Sequence, residues 1–84
     1  MENLAEKISI ILSTEFNSDE IEVETDSNKY ISGTITSSKF VDEEDIDRQR
    51  HVWKYLNQSL SLEEKEKILG LITLTPEERI AYQD

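Results

Sequence analysis

Residues 20–36 read Glu-Ile-Glu-Val-Glu-Thr-Asp-Ser-Asn-Lys-Tyr-Ile-Ser-Gly-Thr-Ile-Thr, and this stretch decides the fold class. Ile21, Val23 and Thr25 alternate with Glu20, Glu22 and Glu24, the period of two that marks a half-buried strand. Asp26-Ser27-Asn28 supplies turn chemistry. Residues 30–36 resume the alternation, with Ile31, Gly33 and Ile35 on one face and Tyr30, Ser32 and Thr34 on the other. Strands this close in sequence predict an antiparallel hairpin.

On the N-terminal side, Leu4, Ile8, Ile11, Leu12 and Phe16 recur at helical spacing across residues 2–17, with Glu2, Glu6 and Lys7 on the wet side. Asn17, Ser18 and Asp19 compete for backbone hydrogen bonds and end that helix. On the C-terminal side, residues 37–41 form a connector whose Phe40 is expected to plug the core. A second helix is predicted from Asp42, where Asp42-Glu43-Glu44-Asp45 complements the positive helix start. Ile46, Trp53, Leu56 and Leu60 fall on one face and are expected to be its packing stripe.

Ser61-Leu62-Glu63-Glu64 fits a capping box that opens a short helix reaching Lys67. Residues 68–74, Ile-Leu-Gly-Leu-Ile-Thr-Leu, are nearly all apolar. They predict a strand buried on both faces, or covered on one by a partner. Its alternation puts Leu69 and Leu71 on one face and Ile68, Ile72 and Leu74 on the other. Thr75-Pro76-Glu77-Glu78 is a second capping box, with Pro76 at the first helical position. The last helix is expected to run toward Asp84, with Ile80 and Tyr82 packing back on the strand. The element order αββααβα predicts a single α+β domain over residues 1–84. Its sheet is three-stranded and mixed, with helices packed mainly on one face.

The formal net charge of −10, from 19 acids against 9 Lys and Arg, disfavours nucleic acid and anionic membranes as partners. With no cysteine, thiolate catalysis, disulfides and Cys-ligated metal centres are excluded on the chain itself. No stretch resembles a signal peptide or approaches ~18 apolar residues, so the expected compartment is the cytoplasm.

Ser38-Lys39-Phe40, then Arg48-Gln49-Arg50, then Leu56 resemble the BolA family, in which a Ser-x-x-Phe-type segment precedes a helix with an Arg-His-Arg triplet. The run Glu22-Val23-Glu24-Thr25-Asp26-Ser27 is similar to the end of that family's first strand. Lys67-Ile68-Leu69 stands where the family has His-Ala-Leu, and residues 73–78 resemble its closing strand and helix cap. The resemblance implies a class II KH-like αββααβ fold and partnership with monothiol glutaredoxins in iron–sulfur traffic. For some members it implies a regulatory role at DNA. Lys67 and Gln49 occupy the family's histidine positions, and neither an ammonium nor an amide replaces an imidazole ligand, so no metal site or cofactor is expected.

Arg48 and Arg50 point about 200° apart on a helix and do not form one clamp. Arg48 lies within reach of Glu44 and Asp45, and Arg50 near Asp47, as in ordinary intrahelical ion pairs. His51 is the only histidine and is expected to be solvated. The acids from Asp42 to Asp47 lack the glycine turn and closing glutamate of a calcium loop. Gly33 and Gly70 are the only glycines, so no Gly-x-x-Gly backbone clamp exists. The predicted function is a non-enzymatic protein-interaction module with no catalytic residues. Its partner, on the resemblance a monothiol glutaredoxin, is expected to contact Lys67, Leu69, Arg50 and Arg48. The alternative is a DNA-associated regulator.

Overall fold

The computed structural model describes residues 3–82, with Tyr82 described in its backbone alone. Its helices are α1 (Leu4–Leu12), α2 (Asp45–Ser59), α3 (Leu62–Glu66) and α4 (Pro76–Tyr82). Its strands are β1 (Ile21–Thr25), β2 (Ile31–Thr36) and β3 (Ile68–Leu74), with 3₁₀ turns at Ser18–Glu20 and Ser38–Phe40. The sheet order is β1-β2-β3, antiparallel between β1 and β2 and parallel between β2 and β3. A parallel pair needs a long crossover, which α2 and α3 provide. This is the three-stranded mixed α+β sheet that the sequence predicts.

Local chemistry accounts for each element. Asn3 caps α1, its Oδ1 accepting from Glu6 N–H at 2.8 Å. The helix stops well before the residue 17 that its periodicity suggested. Ser13 and Thr14 hydroxyls donate back to Ile10 and Ile11 carbonyls, and Leu12 O accepts from both Glu15 and Phe16 N–H. That tight turn delivers Phe16 to the core. In the hairpin, Asp26 Oδ1 accepts from Asn28 N–H at 2.8 Å and Tyr30 N–H at 2.9 Å, while Lys29 takes the left-handed φ of 69°.

The register Ile21↔Ile35, Val23↔Gly33 and Thr25↔Ile31 aligns the apolar residues of both strands on one face. There they meet Ile8 and Leu12 from α1, Val52 and Leu56 from α2, and Phe16, Phe40 and Leu71. Phe40 is fully buried, its ring 5.4 Å from that of Phe16, as a core plug should be. Gly33 sits under this layer. A Cβ there would lie 2.5 Å from Glu22 O and 3.3 Å from Leu71 Cδ2, so only glycine fits.

Four expectations need correction. The second helix starts at Asp45 and not at Asp42, because Asp42 adopts φ 69° and Glu43 N–H turns back to Phe40 O at 3.1 Å. Its buried stripe is Arg48, Val52 and Leu56. Ile46 is 57% exposed, and Trp53 packs on the edge of the core only half-buried.

The alternation along β3 is also displaced. Ile31 pairs with Ile68 but Ser32 with Gly70, so Leu69 is an extra residue in a bulge. Ile68, Leu71 and Thr73 therefore face inward, while Leu69 and Ile72 lie on the wet side at 66% and 48% exposure. Leu69 and Leu71 do not share a face, and of the outward-facing residues of β3 only Leu74 at its end is buried.

Finally, Ile80 is 68% exposed and does not pack back on β3. Instead α4 is held by its charges, with Arg48 to Glu78 and Arg79 to Glu22 each at 2.7 Å. The side chain of Tyr82 and residues 83 and 84 lie outside the described residues. Among the described residues no helix is long and apolar enough to cross a membrane.

Candidate functional site

The start of β3 is built by the short helix before it. Ser61 Oγ accepts from Glu64 N–H at 3.1 Å, and Glu64 Oε1 accepts from Ser61 N–H at 2.8 Å, the reciprocal capping box read from the sequence. Lys7 Nζ reaches Glu64 Oε2 at 2.8 Å and ties this turn to α1. That ammonium, with the Ser61 N–H, holds the Glu64 carboxyl below its ordinary range. Lys67 ends α3, its N–H bonded to Glu64 O and its carbonyl to Ile31 N–H at 2.8 Å. Its backbone is thus fixed at the head of the sheet while its side chain is exposed. Leu69 follows in the bulge. Two of the expected contact residues, Lys67 and Leu69, therefore stand together on an ordered but uncovered segment.

Helix α2 runs beside the free edge of β3. Gln49 Nε2 donates to Leu71 O at 2.7 Å, occupying an edge carbonyl that would otherwise invite another strand. Arg50 is the next residue, 74% exposed in its side chain and only 3.9 Å from Asp47 Oδ1, which is the exposed intrahelical pair expected.

Arg48 is different. It is 7% exposed and engaged on three sides: Nε to Glu43 O at 2.9 Å, Nη1 to Glu78 Oε1 at 2.7 Å, and Nη1 to Thr73 O at 3.4 Å. Its partner is Glu78 from α4, not the Glu44 or Asp45 suggested by helix spacing. The pairing raises the Arg48 pKa and lowers that of Glu78. Arg48 is therefore withdrawn from the surface that Arg50 presents.

His51 is half-buried, not solvated. Its ring lies 5.5 Å from Phe16, 6.1 Å from Phe40 and 6.1 Å from Tyr55. Nε2 stands 3.3 Å from Glu15 Oε1, and Nδ1 stands 3.8 Å from Glu43 Oε1, a buried oxygen with no hydrogen-bond partner. Lys39 Nζ reaches Glu15 at 2.8 Å and Tyr55 Oη donates to it at 3.0 Å. These contacts, Lys39 foremost, lower the Glu15 pKa, and the same carboxylate raises that of Tyr55. The cluster joins the turn after α1 to α2. Its partners are far apart in sequence, and only the step of four from His51 to Tyr55 hinted at it.

Solved structures superpose on this arrangement. BolA1 from Arabidopsis thaliana does so with a TM-score of 0.68, at 23% identity, over 93% of this chain and 98% of its own. The solution structure of BolA1 from mouse, Mus musculus, gives 0.71 at 16% identity, over 100% of this chain and 74% of its own. The chain has the BolA fold. No family model matches the sequence, and no curated protein does.

Within the BolA fold, an iron–sulfur centre would need thiolate or imidazole donors. Here Lys67 offers an ammonium, Gln49 an amide already bonded to Leu71 O, and the chain has no cysteine. Among the described residues no three His, Cys, Asp or Glu side chains are grouped to hold a metal ion. The residues present do not fit a cluster.

Proposed function

We propose that this chain is a divergent BolA-type adaptor, non-enzymatic and cytoplasmic, that docks a monothiol glutaredoxin. It does so through Lys67, Leu69 and the side of α2 that carries Arg50. The observation that carries the reading is the BolA fold, with a bulged, exposed Leu69 at the head of β3. An exposed leucine beside a cation is the composition of a small docking site, apolar at its centre and charged at its rim. Leu69 gains most from a partner that removes it from water. Lys67 and Arg50 set orientation and association rate.

The alternative, a regulator bound to DNA, is disfavoured by charge. Of nine Lys and Arg against 19 acids, Lys7, Lys39, Arg48, Arg50 and Arg79 already lie in ion pairs with carboxylates of the chain itself. Phosphate binding needs cations that are free to displace counterions.

Calorimetric titration with a purified monothiol glutaredoxin tests the proposal. The wild type is expected to bind, and Lys67→Glu and Arg50→Glu to weaken binding about tenfold each. Failure of the wild type to bind, or equal binding by all three proteins, overturns the reading.

A further inference from the structure

The outer face of the sheet, opposite the helices, is left open. Between β1 and β3 it forms a groove of about 420 Å³, lined by Glu22 and Glu24 on one side and Leu69 and Ile72 on the other. Its floor is Ser32, Thr34 and Gly70, and a Cβ built on Gly70 would meet nothing within 4 Å. Ser32↔Gly70 and Thr34↔Ile72 are paired across β2 and β3, while Glu24↔Ser32 and Glu22↔Thr34 are paired across β1 and β2, so the floor is continuous paired sheet. We propose that this groove binds an extended basic peptide segment, with an Arg or Lys head at Glu24, beside the Glu22 already paired with Arg79, and its stem or an apolar neighbour against Leu69 and Ile72.

Charge selects this occupant. The charged side chains lining the groove are both carboxylates, on a chain of net charge −10. A second copy docked face to face would set carboxylates against carboxylates, and a nucleic acid would bring phosphates to them. A long cationic side chain instead lays its methylenes on apolar surface and keeps its head at the acid. The fold already contains one such contact at the end of this face. Arg79 lies across it, donating to Glu22 Oε1 at 2.7 Å and to Thr36 Oγ1 at 3.2 Å. Glu24 has no ion-pair partner among the described residues and remains available. The groove is a surface separate from the proposed glutaredoxin site, sharing only Leu69 with it.

The test is an amide chemical-shift titration of the whole protein with a blocked decapeptide of alternating arginine and leucine, with glutamate replacing arginine in the control peptide. The expected result is saturable shifts confined to residues 22–24, 32–34 and 69–72 and absent with the control. Glu24→Gln should weaken binding about threefold, the loss of one exposed ion pair. Gly70→Val, whose Cβ meets no protein atom within 4 Å, raises the floor and should weaken it about tenfold. Ile72→Ser checks the apolar wall independently and should weaken it about threefold. Glu63→Gln on α3, an equally exposed acid away from the groove, should change nothing. Equal binding by Glu24→Gln, Gly70→Val and Ile72→Ser overturns the proposal, as do shifts centred on the acidic start of α2. Broadening of the same resonances by self-association without peptide assigns the face to a second copy and also overturns it. Lys67→Glu and Arg50→Glu should keep peptide binding whether or not they bind glutaredoxin, so the two proposals stand or fall separately.

Discussion

Leu69 and Leu71 lie two residues apart on β3, one 66% exposed and the other 5%. The difference extends to their surroundings. The head of β3 carries Lys67, Leu69 and Gly70 in the open, while its tail is clamped. Gln49 holds Leu71 O, Arg48 reaches Thr73 O, and Ser37 N–H pairs with Leu74 O at 2.9 Å. One bulge separates the two halves by shifting the inward phase after Ile68. A strand of mostly apolar composition can thus be clamped at one end and exposed at the other.

The comparison breaks most sharply on substitution of its two leucines. Leu71→Ala should cost about 2–5 kcal/mol, since it opens a cavity under β2 and α2. Leu69→Ala should stay within about 0.5 kcal/mol, as for an exposed residue away from special contacts. Urea denaturation monitored by circular dichroism measures both. Equal costs would mean that the bulge is absent and the uninterrupted alternation holds.

The two glycines provide a second contrast. Gly33→Ala drives a methyl group into Glu22 O, a backbone atom that cannot step aside. It should destabilise by about 1–3 kcal/mol. Gly70→Ala adds a methyl group in open space and removes a flexible residue from a strand, so it should be neutral or stabilising by up to about 1 kcal/mol. Thermal melts of the pair decide the matter, and a stable Gly33→Ala protein would contradict the packing described.

The arginines repeat the pattern on α2. Arg48→Ala removes charge-assisted bonds to Glu78 and to two carbonyls and should cost about 1.5–3 kcal/mol. Arg50→Ala, whose only ion pair among the described residues is long and exposed, should cost under about 0.5 kcal/mol. Chemical denaturation of each variant separates them.

Much of this was legible in the sequence. Strand period, turn residues and both capping boxes are local signals, and they placed the hairpin, the short third helix and the start of the last one. The failures are non-local. Reading apolar as buried chose Leu56 and Leu60, which are core, but also Ile46 and Trp53, which are not fully buried. The stripe is completed by Val52 and by Arg48, whose burial depends on Glu78, 30 positions away. The acid run at Asp42 resembles a helix start, but Phe40 must first be turned into the core, and the chain does so through the left-handed Asp42. The bulge at Leu69 leaves no local mark, because every candidate residue there is apolar or glycine. Of the expected contact residues, Lys67, Leu69 and Arg50 are surface residues and Arg48 is not.

The smallest expected effect is a pH response of the tail. The Arg48 guanidinium, with the Thr75 N–H, holds the Glu78 carboxyl below its ordinary range. Its folded value lies below its unfolded one, so its contribution is complete above the unfolded value and is lost as pH falls through the folded one. Amide resonances of α4 and of Thr73 should therefore move on acidification before those of Ile35 and Leu56. Simultaneous movement would mean that α4 is not held mainly by this pair.

The central claim, that the head of β3 is a docking surface and its tail is core, is tested most directly by mapping a monothiol glutaredoxin onto the amide spectrum of this protein. The account predicts saturable shifts at Arg50, Lys67, Ile68 and Leu69, with Val52, Leu56 and Thr73 unmoved. Absence of any shift at equimolar glutaredoxin, or shifts centred on α1 and the hairpin, would contradict it.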